Sequence, residues 1–270
     1  VMRISISNIA WDIHEDAAVS EILQSHNVDA IDIAPGKYLK KFPSFNKNKI
    51  LQIRKWWASK GIEIIGMQSL LFGVKDVSLF ENEELRENMF DVLTQIIIVG
   101  QLFGAKKLVF GSPKNRQKGI LNIKEANDIA RDFFLRLAEK AELHGVTLCI
   151  EPNPVEYGCD YITSSRQAIE LVNEIDHPAV KIQLDTGACI LNYESIDDIV
   201  AGLDSYIGHI HISEPNLVEI GSLNTDHSHI SELLHKHSCN KPITIEMLTK
   251  KSERLEQINR SVSYVSEVYS

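Results

Sequence analysis

Apolar residues along the chain fall into two alternating textures. Short continuous runs rich in Val and Ile suit strands buried on both faces, and longer stretches with apolar residues every three or four positions suit helices that bury one stripe. The strand-like runs are RISIS at 3–7, VDAIDIA at 28–34, IEIIGMQ at 62–68, AKKLVFG at 105–111, VTLCIE at 146–151, VKIQLD at 180–185, IGHIHIS at 207–213 and ITIEM at 243–247. The helix-like stretches occupy 16–26, 48–60, 87–103, 123–144, 164–175, 195–203, 229–237 and 256–270. Thr163 or Ser164, and Ser195, stand where an N-cap is needed, and Gly61, Gly104 and Gly145 stand where a helix must stop before a strand.

Strict strand–helix alternation leaves two architectures, a closed parallel barrel or a doubly wound open sheet. The open sheet usually carries a Gly-rich phosphate loop after its first strand. That turn here reads SNIAWDIHED, without a G-x-G-x-x-G. The pattern therefore predicts a (β/α)8 TIM barrel, and with no linker, repeat or low-complexity tract, one domain over residues 1–270.

Charge and composition narrow the partners. Twenty-eight Lys and Arg face 37 Asp and Glu, a formal charge of −9, which points away from nucleic-acid backbones and leaves room for a small substrate. No apolar run has the length of a membrane span, and the first residues read as a strand rather than a signal peptide. Cys149, Cys159, Cys189 and Cys239 form no C-x-x-C pair, so a reducing, cytoplasmic setting is expected.

The chemistry gathers where strands end. VTLCIE ends in Glu151 and VKIQLD in Asp185, while His211 and Glu246 lie near the ends of the last two strands. The gaps of 34, 26 and 35 residues are each one helix, one strand and two loops, so the four residues come from successive strand ends at one mouth. Carboxylates gathered there repel one another unless protons or a cation intervene, and this oxygen and nitrogen set suits one divalent metal ion, Mn, Mg, Co or Zn. His209, two residues before His211, shares its face as a core residue or a support for it.

The order IEPNP, QLDTG, GHIHISEPN and ITIEM resembles the xylose-isomerase-like barrel superfamily. That group includes sugar isomerases, sugar 3-epimerases such as D-tagatose 3-epimerase, inositol-pathway enzymes and endonuclease IV. The resemblance implies one metal on Glu151, Asp185, His211 and Glu246, with Glu151 and Glu246 also acting as an acid–base pair on a carbohydrate. It implies a sugar or sugar phosphate isomerase or epimerase working through an enediolate, and possible homo-oligomers. Two positions depart from the 3-epimerase pattern: Ala188 replaces a substrate-binding His and Leu217 replaces an Arg. A dehydratase or lyase on a polyol-derived ketone shares the enediolate step, and a barrel that binds without chemistry is a third reading. A three-metal nuclease lacks its further ligands, since the third strand ends in Gln68, the fourth in Gly111, and Ala188 follows the sixth.

The loops after the strands supply substrate candidates. Lys114 and Arg116 read either as holders of a phosphate or carboxylate or as a solvated basic loop. Gln68, Asn153 and Glu156 read as substrate contacts, Lys37 and Tyr38 as residues near the mouth, and Trp11 as an apolar wall or ordinary packing. His227, with Asp226 and His229, reads as a substrate or second-metal group, or as a turn opening a helix.

Overall fold

The computed structural model describes residues 2–203, 205–238 and 241–269, so Cys239 lies outside the described residues. Eight strands close a barrel in chain order, every neighbour parallel: β1 (Ile4–Ser7), β2 (Ala30–Ile33), β3 (Glu63–Met67), β4 (Lys107–Phe110), β5 (Thr147–Ile150), β6 (Val180–Asp185), β7 (Ile207–Ile212) and β8 (Ile243–Ile245). Each lies inside one of the apolar runs. The helices are α1 (Asp16–Ser25), α2 (Lys47–Ser59), α3 (Glu83–Phe103), α4 (Ile123–Leu143), α5 (Ser165–Ile175), α6 (Thr186–Leu191), α7 (Ile196–Leu203), α8 (His227–Ser238) and α9 (Arg254–Val268). Among the described residues, no helix is long and apolar enough to cross a membrane.

Local chemistry sets the helix ends. Asn46, Asn82 and Asn122 accept backbone N–H bonds at the starts of α2, α3 and α4, and Ser164, rather than Thr163, does so for α5. Ser195 accepts from the Asp198 N–H. Gly104 closes α3 with φ +88°, a conformation that costs glycine little. The short α6 lacks a periodic signature because it is under two turns long, and its N-cap is Asp185 itself.

The fully buried Ile6, Ile31, Ile182, Ile210, Ile212 and Ile245 belong to the strand core, each burial contributing about 1.5–3 kcal/mol. The alternate positions carry polar residues buried within the barrel, among them Ser5, Asp32, Gln183, His209, His211 and Thr244. An irregularity in β7 keeps both histidines inside. Ile182 pairs with Ile207 but Gln183 pairs with His209, which leaves Gly208 extra. A Cβ on Gly208 would lie 2.6 Å from the Lys181 Cβ, so a side chain there has no space.

Candidate metal centre and substrate pocket

Glu151 follows β5, Asp185 ends β6, His211 sits near the end of β7 and Glu246 follows β8. The fold brings all four together, with ligand atoms lying within 4.8 Å of one another. His211 Nδ1 stands 3.3 Å from Glu246 Oε2, 3.6 Å from Glu151 Oε1 and 3.9 Å from Asp185 Oδ2.

Each carboxylate is anchored by its other oxygen. Asn153 Nδ2 donates to Glu151 Oε2 at 2.9 Å, and Gln68 Nε2 donates to Glu246 Oε1 at 2.6 Å. Asp185 Oδ1 accepts from Ser213 Oγ at 2.8 Å and from the Ala188 N–H at 2.7 Å. Every carboxylate thus turns one oxygen toward His211, held by a neutral donor behind. Both ring nitrogens of His211 are buried without a hydrogen-bond partner, an arrangement that costs free energy unless something else engages them.

The electrostatics carry the same mark. Burial and the charges of Glu246 and Glu151 push the Asp185 carboxyl well above its ordinary range. Burial lowers the His211 value, but Glu246 and the neighbouring carboxylates outweigh it and hold the imidazole well above the usual histidine range. Burial likewise opposes charge on Glu246, yet the adjacent His211 cation keeps that carboxyl below the usual glutamate range. Protons thus balance a site with more negative charge than its surroundings can solvate. Three carboxylate oxygens and one imidazole nitrogen at these separations fit a single divalent cation, which would replace those protons.

Beside the four residues opens a cavity of about 200 Å³, to which Gln68, Asn153, Tyr157, Ala188 and Leu217 contribute. Among the described residues no Lys or Arg lines it. Val109, Pro113, Ala188 and Leu217 give it apolar surface.

Several expected contacts lie elsewhere. Arg116 is 1% exposed, and its Nη2 donates to the Glu151 carbonyl at 2.7 Å and to Asn153 Oδ1 at 3.2 Å. It braces the Glu151 segment from behind, and it is buried outside the cavity lining rather than solvated. Lys114 and Glu156 are exposed outside the cavity lining, whereas Tyr157, next to Glu156, belongs to it. His227 is buried away from the cavity, bonded through Nε2 to Glu214 Oε1 at 3.0 Å and through Nδ1 to the Tyr269 hydroxyl at 2.8 Å. Asp226 accepts from the His229 N–H, and the His229 ring meets Asp197, so the three do not converge as a second metal cluster. Trp11 is a packing residue, 1% exposed, edge-on to Trp57 and donating to Asp16. Lys37 donates to the Asn8 and Trp11 carbonyls and Tyr38 to Asp16, so both brace loops outside the cavity.

Sequence reasoning missed Asp32, Ser213, Tyr157 and Glu214. Asp32 had a signal, a charge inside the apolar run VDAIDIA, at a parity that turns it inward. Tyr157 and Glu214 sit on loops, where spacing gives no direction.

With this geometry, the chain is a closed parallel barrel of the xylose-isomerase-like class with a candidate metal-binding cluster at its mouth. It belongs to the family described as "Xylose isomerase-like TIM barrel", whose model matches residues 21–267. It is 34% identical over 82 residues to D-psicose 3-epimerase of Ruminiclostridium cellulolyticum, an alignment covering 30% of this chain and 27% of that protein. It is 35% identical over 77 residues to 2-oxo-tetronate isomerase of Pectobacterium atrosepticum, covering 28% and 29% respectively. These alignments span under a third of either relative's length. Among solved structures, D-psicose 3-epimerase of Clostridium cellulolyticum H10, crystallised with D-tagatose, superposes with a TM-score of 0.83 at 16% identity over 100% of both chains. The IOLI protein, crystallised with a bound zinc atom, gives 0.76 at 17% over 100% of both. At such identities the likeness is one of fold.

Proposed function

We propose that the protein is a metal-dependent isomerase or epimerase of an uncharged sugar, with Glu151 and Glu246 as its acid–base pair. The observation that carries this reading is the anchoring of three carboxylates, each by one oxygen, with the other turned to an unpartnered His211. The sugar epimerases and isomerases among its relatives supply the reaction class.

Glu151, Asp185, His211 and Glu246 would hold the cation, which when bound supplies positive charge for the carbonyl and neighbouring hydroxyl oxygens of the substrate. One glutamate takes the proton from the carbon beside the carbonyl, and the C–H electron pair moves toward the carbonyl oxygen. The other glutamate returns a proton. Return to the opposite face of the same carbon gives the epimer, and return to the former carbonyl carbon, with the neighbouring hydroxyl proton passing to the former carbonyl oxygen, interconverts aldose and ketose. Gln68 and Asn153 hold the two carboxylates in place, which limits the reorganisation each proton transfer requires. Three carboxylates, and no Lys or Arg among the described residues of the cavity lining, favour a substrate without phosphate.

The test is exchange of carbon-bound hydrogen in deuterated water, followed by NMR across a panel of ketoses, aldoses and their phosphates. Exchange is expected with an unphosphorylated sugar and should fall by about 10²–10⁴-fold in Glu151→Gln and in Glu246→Gln. Undiminished exchange in both variants would refute the acid–base assignment, and a preference for the phosphorylated panel would refute the uncharged substrate.

A further inference from the structure

Beneath the candidate metal centre lies a second buried group that the chemistry above does not use. Asp32, on β2, is fully buried, and its Oδ2 lies 2.5 Å from His209 Nε2 and 3.8 Å from His211 Nε2. That separation makes His209 and Asp32 a short hydrogen-bonded pair. Gly66 on β3 makes the space: a Cβ there would lie 2.6 Å from both oxygens of Asp32. A carboxylate in the middle of an apolar strand is an expensive residue to bury, and packing alone gives no reason for it.

We propose that Asp32 is a positioning residue for the metal centre, accepting the Nε2 proton of His211 and held in place for that task by His209. This rests on the metal-centre reading above. A neutral imidazole carries one N–H, so His211 can offer its Nδ1 lone pair to a cation only if the proton resides on Nε2. That nitrogen faces the closed interior of the barrel, where the ring is 0% exposed and has no hydrogen-bond partner. Asp32 is the carboxylate facing it, and a movement of under about 1 Å would bring the pair to hydrogen-bond length. Such a bond fixes the tautomer and ring plane of a metal-ligating histidine. His209 restrains the carboxylate, and its own ring lies 5.3 Å from that of His211, centroid to centroid.

The experiment uses the metal alone. Purified protein stripped with a chelator is titrated with Zn²⁺ or Co²⁺ against a competing indicator, and the melting temperature of the stripped protein is recorded for each variant. Asp32→Asn is expected to weaken metal affinity by about 10–100-fold and to shift the visible spectrum of the Co²⁺ form, and His209→Gln to weaken affinity by a smaller factor. A merely structural pair would lower the melting temperature of the stripped protein and leave affinity and spectrum unchanged, and that result would overturn the proposal. Should Asp32→Asn not fold, His209→Gln decides alone, because it replaces the rigid ring that restrains Asp32 with a flexible amide while keeping the carboxylate. A wild-type chain that takes up no metal would sink the metal-centre reading and this proposal together, whereas a wild type that binds with indifferent variants sinks only the proposal.

Discussion

Individual side chains at this mouth have little freedom, and the tightest spot is Gly111. A Cβ at that position would lie 2.5 Å from Glu151 Oε2, the oxygen that Asn153 anchors. Gly111→Ala should therefore displace the glutamate without disturbing the hydrophobic core. A shift of about 1 Å in a reacting group can cost about 10²-fold in rate, so hydrogen exchange should fall by that order while circular dichroism stays native. Arg116 acts at the same place from behind. Its guanidinium is buried under the Glu151 carbonyl, and Arg116→Met removes that donor while leaving the carbonyl unpaired. The loss expected is about 1.5–3 kcal/mol in a denaturant titration. A cost near zero would mean that the strut is dispensable.

At the scale of elements, the loop between β7 and α8 shows how a long connection is made rigid. Glu214 accepts from the Gly221 N–H, from Thr225 Oγ1 and from His227 Nε2, and His227 in turn meets Tyr269 at the end of α9. The same loop presents Leu217 to the cavity, with Asn216 and Leu217 at φ +60° and +55°. Burial opposes charge on Glu214, but the bonds from His227, Thr225 and Gly221 outweigh it and hold the carboxyl below the usual glutamate range. A depressed folded-state value means a stabilising contribution that is full above the ordinary value of about 4.3 and is lost as pH falls through the folded one. Glu214→Gln should thus cost about 1–3 kcal/mol at neutral pH and progressively less in acid, read from denaturation curves across pH. Equal costs at both ends would refute the charge-based account. This loop also marks where the sequence stops being legible. The eight strands and the four residues at their ends could be read because the strand–helix period is regular and strand parity gives direction. Asp32 was readable by the same parity and passed over. Arg116, Glu156 and His227 were misplaced because their loops have no period, and whether a loop side chain turns inward depends on contacts from distant segments, such as Ile162 for Arg116 and Tyr269 for His227.

For the whole molecule, the metal reading makes a claim about linkage. A formal charge of −9 and three carboxylates at one mouth give an electrostatic landscape that favours a cation there. In the metal-free chain, burial and neighbouring charges raise the proton affinity of Asp185, and neighbouring carboxylates raise that of His211, so protons compete with a cation for these groups. Metal uptake must expel those protons, and apparent affinity should therefore fall as pH falls. Calorimetric titration in two buffers of different ionisation enthalpy should give different observed enthalpies, the difference reporting the protons released. Because the unfolded chain has no such constellation, the metal should also stabilise the fold. At a hundredfold excess over Kd the gain is about 2.7 kcal/mol, on the order of 5 °C in Tm for a domain this long. A chelator should remove that gain, and Asp185→Asn, which deletes a ligand charge, should blunt both the stabilisation and the proton release. A Tm indifferent to metal and chelator alike, with enthalpies independent of buffer, would mean that the four side chains meet only as a hydrogen-bonded network of carboxyls and imidazolium, with protons as its permanent occupants.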